Sequence, residues 1–421
     1  MPRSVTRIAA LAAVLLSGAV GYVVVDRLRE DEPPPLPPEA SGGTGPRERT
    51  SFLARMIPPE PERPPAGAAA RAPRTVAELV RRLPLERKVA QVFVWGLAGR
   101  DLTDPVYERV RELGLGGILL RGENYASPGQ LAAMAGEAGV VAHRAGQVPP
   151  LVYASQEGAE YSSFPDLPPE GAPADYPSAQ AAAQAAGEAA DALRALGITA
   201  VLGPVLDVGP ADTGALGARA FSDDPEAVAS YGRAALAEYA EAGVLAAPKH
   251  FPGIGAANQD TAQGPASVGL TVGELAERDL VPFAAAIRAG ADAITLGHGL
   301  YATDDFVTPA SLSPEIVGGL LRGRLRFRGL AVTDDLASPA ITAVMSIPDA
   351  AVAALRAGAD QLLVSGPLGE QEAAYTAVLN AVRRGEVPRR RLDEAVTRVL
   401  VAKRDLGLIL EGGGSPAAGA R

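Results

Sequence analysis

The sequence predicts an α/β fold, a (β/α)8 TIM-like barrel in a single domain, on three observations. Between residues 75 and 410, apolar runs alternate with helical patterns about eight times. The runs are continuously apolar, as expected of parallel strands buried on both faces. The polar residues that punctuate them fall just past their C-terminal ends, where barrel enzymes keep their chemistry. No repeat of 20 to 50 residues stands out, so a solenoid is not indicated.

The chain opens differently. Arg3 and Arg7 precede an uncharged, mostly apolar stretch from Ile8 to Val25, after which Asp26-Arg27 returns to water. Spanning a bilayer takes about 17–25 such residues. A cleaved signal has a shorter apolar core and a small-residue site, and no clean site is seen. Residues 1–31 are therefore expected to be an uncleaved anchor that holds the barrel outside the cytoplasm, with secretion after cleavage as the alternative. Arg27 and Arg29 partly cancel the positive-inside bias. Residues 32–74, rich in Pro, Gly, Ala and Arg, carry too few large apolar groups to offset ordering entropy and predict a semi-stiff disordered linker. Within it, Phe52 to Ile57 could form a transient helical turn.

From Thr75 the texture becomes regular. Thr75-Val76-Ala77-Glu78 has the form of a capping box opening a helix. Strands are predicted near Val92–Gly96, Gly117–Leu120, Leu151–Ala154, Ala200–Leu206, Val244–Lys249, Ala293–Gly297, Leu330–Thr333 and Gln361–Val364. Helix starts are marked by Asp224 with Pro225, Thr271 with Glu274, and Ser313 with Pro314. Residues 411–421 read as a flexible tail.

Composition excludes several functions. The chain has 421 residues, no cysteine and three histidines, His143, His250 and His298. Disulfides, thiolate metal sites and a cysteine nucleophile are ruled out, and a His-rich metal site has too few ligands. The formal net charge of −10 argues against nucleic acid as a partner. The cluster Arg389-Arg390-Arg391 reads as a solvated helix start. Gly253-Ile254-Gly255 lacks the third glycine of a dinucleotide loop, so no cofactor is implied.

The most informative stretch is Lys249-His250-Phe251-Pro252-Gly253-Ile254-Gly255 with Asp260-Thr261-Ala262 behind it. It follows a short apolar run, which places the Lys-His pair where a strand gives way to a loop. It resembles the K-H-F-P-G-H-G-x(4)-D-S-H signature of family 3 glycoside hydrolases, in the branch of bacterial β-N-acetylglucosaminidases. Further segments are similar in order and spacing: Gln91 to Val94, Gly203 to Val208, Arg219 to Pro225, Ser311 to Pro314, Thr333 to Leu336 and Arg391 to Glu394. The resemblance covers about residues 76 to 410.

The resemblance implies a retaining glycosidase acting on N-acetylhexosamine glycans of the cell-wall type. In such a mechanism one carboxylate attacks the anomeric carbon while an acid about 5–5.5 Å away protonates the leaving oxygen. By resemblance Asp334 is the nucleophile and Asp335 its structural neighbour, although an Asp at a strand end can also simply cap the next helix. Arg219, Lys249 and His250 match residues that hold the sugar hydroxyls, with an internal ion-pair network to Asp207 or Asp334 as the plainer reading. His298 matches a histidine beside the site and can equally be structural.

The departures are as specific. The family's loop acid is a His where this chain has Ala262, and its earlier motif His is Ile254. Where the family has D-Q-E-G-G-R, this chain has Ser155-Gln156-Glu157-Gly158-Ala159-Glu160, so a hydroxyl-binding Asp becomes Ser and an Arg becomes Glu. Ligand preference is expected to differ. General acid catalysis contributes about 10² to 10⁴ in rate. Two classes of function remain: a hydrolase in which Asp260, Glu157 or Glu160 serves as acid, or a pseudoenzyme that binds envelope glycan without cleaving it.

Overall fold

The computed structural model describes residues 74–304 and 306–409. The apolar segment 1–31, residues 32–73 with Phe52–Ile57, and the tail 411–421 lie outside the described residues. Among the described residues no helix is long and apolar enough to cross a membrane.

Eight parallel strands form: β1 (Phe93–Gly96), β2 (Gly117–Leu119), β3 (Leu151–Ala154), β4 (Ala200–Val201), β5 (Leu245–Ala246), β6 (Ala293–Leu296), β7 (Leu330–Thr333) and β8 (Leu362–Val364). Six of them make one sheet in the order β5-β4-β3-β2-β1-β8, and β6 pairs with β7. Parallel bridges Phe251↔Leu296 and Val332↔Gln361 link the two sheets at both edges. Each strand therefore neighbours the next in chain order, and β8 returns to β1. Strands β4 and β5 are shorter than their apolar runs predict, because Pro204 and Pro248 have no N–H to donate to the ladder. Pairing resumes beyond them at Val205↔Lys249.

Two-sided burial explains the unbroken apolar runs. Successive strand side chains point to opposite faces. Val94, Leu119, Tyr153, Ala200, Leu245, Ala293, Val332 and Leu363, one from each strand, gather in one cluster with Val399 and Ala402 of the C-terminal helix. Their neighbours Trp95, Ile118, Val152, Val201, Ala246, Ile294, Ala331 and Leu362 pack outward under the helices.

One predicted helix start is corrected, since Thr75 lies inside helix Arg74–Arg82 and does not cap it, whereas the other three are built at the expected residues. Asp224 accepts from the Glu226 N–H at 2.9 Å ahead of helix Pro225–Glu241, and Thr271 and Glu274 form a reciprocal capping box. Ser313 accepts from Ile316 N–H, but the helix that follows, Pro314–Arg324, is wound as a π-helix. The arginine cluster is only partly the solvated start expected. Arg390 is exposed, whereas Arg391 turns inward and its Nη2 meets Asp360 Oδ1 at 2.6 Å. Arg322 and Arg398 reach the same fully buried carboxylate at 2.5 and 2.9 Å. An isolated buried charge is costly, so Asp360 draws its cations in from the surface.

Candidate active site

The strand C-terminal ends converge on a charged cleft. Asp334 follows β7 directly, and its N–H donates to Leu296 O of β6 at 2.8 Å, which fixes the backbone. Its Oδ1 accepts from Asp335 N–H at 2.9 Å, while Oδ2 faces His250 Nε2 at 3.8 Å. The side chain is 26% exposed, so one oxygen is open to the cleft. Burial raises its pKa, but His250, His298 and Lys249 outweigh that and hold the carboxyl below the usual range. It is ionised at neutral pH, as a nucleophile must be.

His250 is held from behind. Asp207, beyond β4, is fully buried, and its Oδ2 takes His250 Nδ1 at 2.7 Å while Oδ1 accepts from Ile254 N–H at 2.7 Å. One carboxylate thus orients both the imidazole and the loop that carries it. That loop turns at Gly253, where φ is 123° and an added Cβ would lie 2.6 Å from the Cβ of Asp279. Only glycine suits both the dihedral and the space. Asp279 is itself fully buried, its Oδ1 has no partner, and burial pushes its pKa up to about 7.

A chain of alternating charges lines the other wall. Lys249 Nζ meets Glu157 Oε1 at 2.5 Å and donates to Ser155 Oγ at 2.9 Å. Arg219 grips Glu157 with two bonds, Nε to Oε2 at 2.7 Å and Nη2 to Oε1 at 3.1 Å, and reaches Asp260 Oδ2 through Nη1 at 2.8 Å. Burial raises the Glu157 carboxyl, yet Lys249 and Arg219 together hold it well below the usual carboxylate range. Burial lowers the Arg219 guanidinium, and Glu157 and Asp260 overcome this to raise it. The ion-pair network expected as the plainer reading does exist: His250 meets Asp207 and Asp334 as expected, while Lys249 and Arg219 take Glu157, and Arg219 also Asp260.

This wiring bears on proton donors. Glu157 is locked as a carboxylate. Asp260 accepts from Arg219 on one oxygen and from Ala262 N–H at 2.9 Å on the other. Glu160 is exposed on the rim beside Tyr161, whose ring lies 5.9 Å from the Arg219 guanidinium. Ala262 is exposed and carries only a methyl group. His143 sits on the exposed side of helix Pro128–Arg144, away from the strand ends.

His298, just beyond β6, is buried with both ring nitrogens engaged. Ser311 Oγ lies 2.8 Å from Nδ1, and Nε2 donates to Asp335 O at 3.0 Å. Burial lowers its pKa, opposed by the nearby Asp334 and by the hydrogen bond to Asp335 O. Asp335 accepts from Ala337 N–H and Ser365 N–H, at 2.9 and 3.1 Å, and from the Ser365 hydroxyl. Together these braces fix the turn that presents Asp334. Ser311, Ser365 and Tyr161 have no assigned role in the sequence: Ser311 and Ser365 reach the site from distant segments, and Tyr161, next to Glu160, carries no motif of its own.

An ionised, partly open carboxylate thus stands beside an imidazole and two fixed cations at the strand ends of an α/β protein. The model of the Glycosyl hydrolase family 3 N terminal domain matches residues 84–402. The chain belongs to that family. It is 33% identical over 290 residues to a β-hexosaminidase of Stenotrophomonas maltophilia, covering 66% of this chain and 85% of the relative. A family 3 β-N-acetylglucosaminidase from a Paenibacillus species superposes with a TM-score of 0.74 at 32% identity, covering 80% of this chain. The chain spans 65% of that larger protein. A β-N-acetylhexosaminidase of Beutenbergia cavernae gives 0.66 at 30% identity, covering 76% of this chain and 99% of its own.

Proposed function

We propose that the chain is a retaining glycosidase that releases N-acetylhexosamine, working on a closed (β/α)8 barrel with Asp334 as nucleophile. The observation that carries this is the ionised Asp334 at the end of β7, its open oxygen 3.8 Å from His250 Nε2. Charged donors bind sugar hydroxyls strongly, and Lys249, His250 and Arg219 are held where they can do so. Ser155 and Glu157 set the orientation of Lys249 and Arg219. His298 acts as a brace for the Asp334 turn, and Asp260 steadies Arg219. Names of relatives, β-hexosaminidase and β-N-acetylglucosaminidase, support the sugar class.

Chemistry at Asp334 runs in two displacements. The carboxylate oxygen attacks the anomeric carbon as the aglycone oxygen leaves, and water then releases the sugar from the ester. Leaving-group protonation is the weak step, because Ala262 supplies no acid. The same observation favours a second reading, a glycan-binding pseudoenzyme in which turnover is lost. Aryl N-acetylglucosaminides of graded leaving-group pKa separate the two. A hydrolase gives rates that fall steeply as that pKa rises, while the pseudoenzyme binds the sugar and turns over none of the series.

We further propose that residues 1–31 hold the barrel at the membrane outside the cytoplasm, near envelope glycan. The support is the apolar stretch Ile8 to Val25 and the Pro-rich segment after it. Fractionation should place the full chain with membranes, and recovery from the cytosol alone would end this reading.

A further inference from the structure

Resting on the hydrolase reading above, we infer that the leaving-group side of the cleft is built for an apolar aromatic aglycone joined through a phenolic oxygen. Two independent observations meet here. The first is chemical: Glu157 is held by Lys249 and Arg219, both oxygens of Asp260 are taken, and position 262 carries a methyl group. A phenol has a pKa of about 10. An alcohol hydroxyl, like water, holds its proton far more tightly. A phenolate therefore departs unaided where a sugar alkoxide does not.

The second observation is the surface. Among the described residues the exposed large apolar side chains are Leu102, Val140, Phe306, Val307, Val344 and Met345. All but Val140 lie on loops that follow β1, β6 and β7, at the strand ends that carry Asp334. The β6 loop rises from a base pinned by the Leu300↔Pro309 bridge and by Ser311 N–H to Gly297 O at 2.9 Å, beside His298. At its tip Val307 is 70% exposed, and Phe306 holds φ of 58°, a conformation uncommon for a bulky residue and frequent at ligand sites. The β7 loop begins with Asp334 itself and lifts Val344 and Met345, whose N–H groups both bond Ile341 O. These apolar side chains stand on loops at the same strand ends as Asp334.

The reaction balances without a further reagent. Asp334 forms a bond to the anomeric carbon as the carbon–oxygen bond to the ring breaks, and the electron pair leaves on the phenolate. Water then attacks the same carbon, its proton passes to the phenolate, and Asp334 returns as carboxylate.

The test uses the full-length protein and three substrates sharing one N-acetylglucosaminyl group: the phenyl glycoside, the glycosyl azide and N,N′-diacetylchitobiose. Azide needs neither proton nor apolar surface to leave. The wild type should cleave the phenyl glycoside at least about 100-fold faster than the disaccharide, as loss of an acid predicts. In the double variants Phe306→Ser/Val307→Ser and Val344→Ser/Met345→Ser, the phenyl-to-azide ratio of kcat/KM should fall about tenfold. Reading a ratio removes any loss of folded protein. 2-Naphthol should compete with the phenyl glycoside in the wild type and more weakly in both variants. Disaccharide turnover as fast as phenyl turnover, or an unchanged ratio in both variants, overturns the inference while leaving the hydrolase reading intact. Turnover of neither azide nor phenyl glycoside defeats the hydrolase reading itself.

Discussion

Glu157 is an almost enclosed carboxylate and Asp334 a partly open one, and their surroundings differ accordingly. Glu157 has two cations within 2.8 Å, so it is a fixed anion that orients Lys249 and Arg219. Asp334 has only a histidine at 3.8 Å and one oxygen free. Removing Glu157 by Glu157→Gln should weaken sugar binding, raising KM more than it lowers kcat, because two donors lose their orientation; equal falls in kcat/KM and kcat would contradict this. Asp279 is the opposite case, a carboxyl pushed up to about 7 by burial. The unfolded chain ionises it near 3.9. Between these values the folded state binds the extra proton, so stability falls as pH rises through the window. Asp279→Asn should thus gain more thermal stability relative to wild type at pH 8 than at pH 5, by up to about 3 kcal/mol. A gain equal at both pH values would show that Asp279 does not titrate there.

At the scale of elements, the C-terminal helix Arg389–Asp405 is locked to the strands by Asp360. Its carboxylate joins Arg391 and Arg398 of that helix to Arg322 of the π-helix, and also accepts from Ala331 N–H of β7 at 3.0 Å. Asp360→Ala would leave three inward cations without an anion. Breaking a buried pair costs about 3–5 kcal/mol. Chemical denaturation should show a loss of that size, and a change under 1 kcal/mol would mean the arginines simply turn to solvent. This hub was not legible in the sequence. Arg391 sits in a run of three arginines and looks solvated, and nothing local distinguishes it from Arg390. The eight strands were legible, because two-sided burial writes itself as continuous apolar runs. The helix caps at Asp224, Thr271 and Ser313 were legible for the same local reason. The shortened β4 and β5 were readable in principle from Pro204 and Pro248.

At the scale of the whole molecule, the ring of strands gathers residues from Ser155 to Asp334 into one cleft. Motif order brought these residues into view, since Lys249, His250 and Asp334 stand just past strand ends and Arg219 sits further along the loop that follows β4. Their wiring was hidden, because Glu157 bonds Arg219 across 62 residues and Asp207 backs His250 across 43. No local spacing encodes such contacts. The proposed mechanism requires Asp334 to form a covalent ester with the sugar. The most direct measurement is the intact mass of the protein after reaction with an activated 5-fluoro N-acetylglucosaminyl fluoride, followed by peptide mapping. The account predicts one added sugar, on Asp334, and none on the Asp334→Ala variant. An adduct on Asp260 or Glu157, or unmodified protein that still turns over aryl substrates, would contradict it.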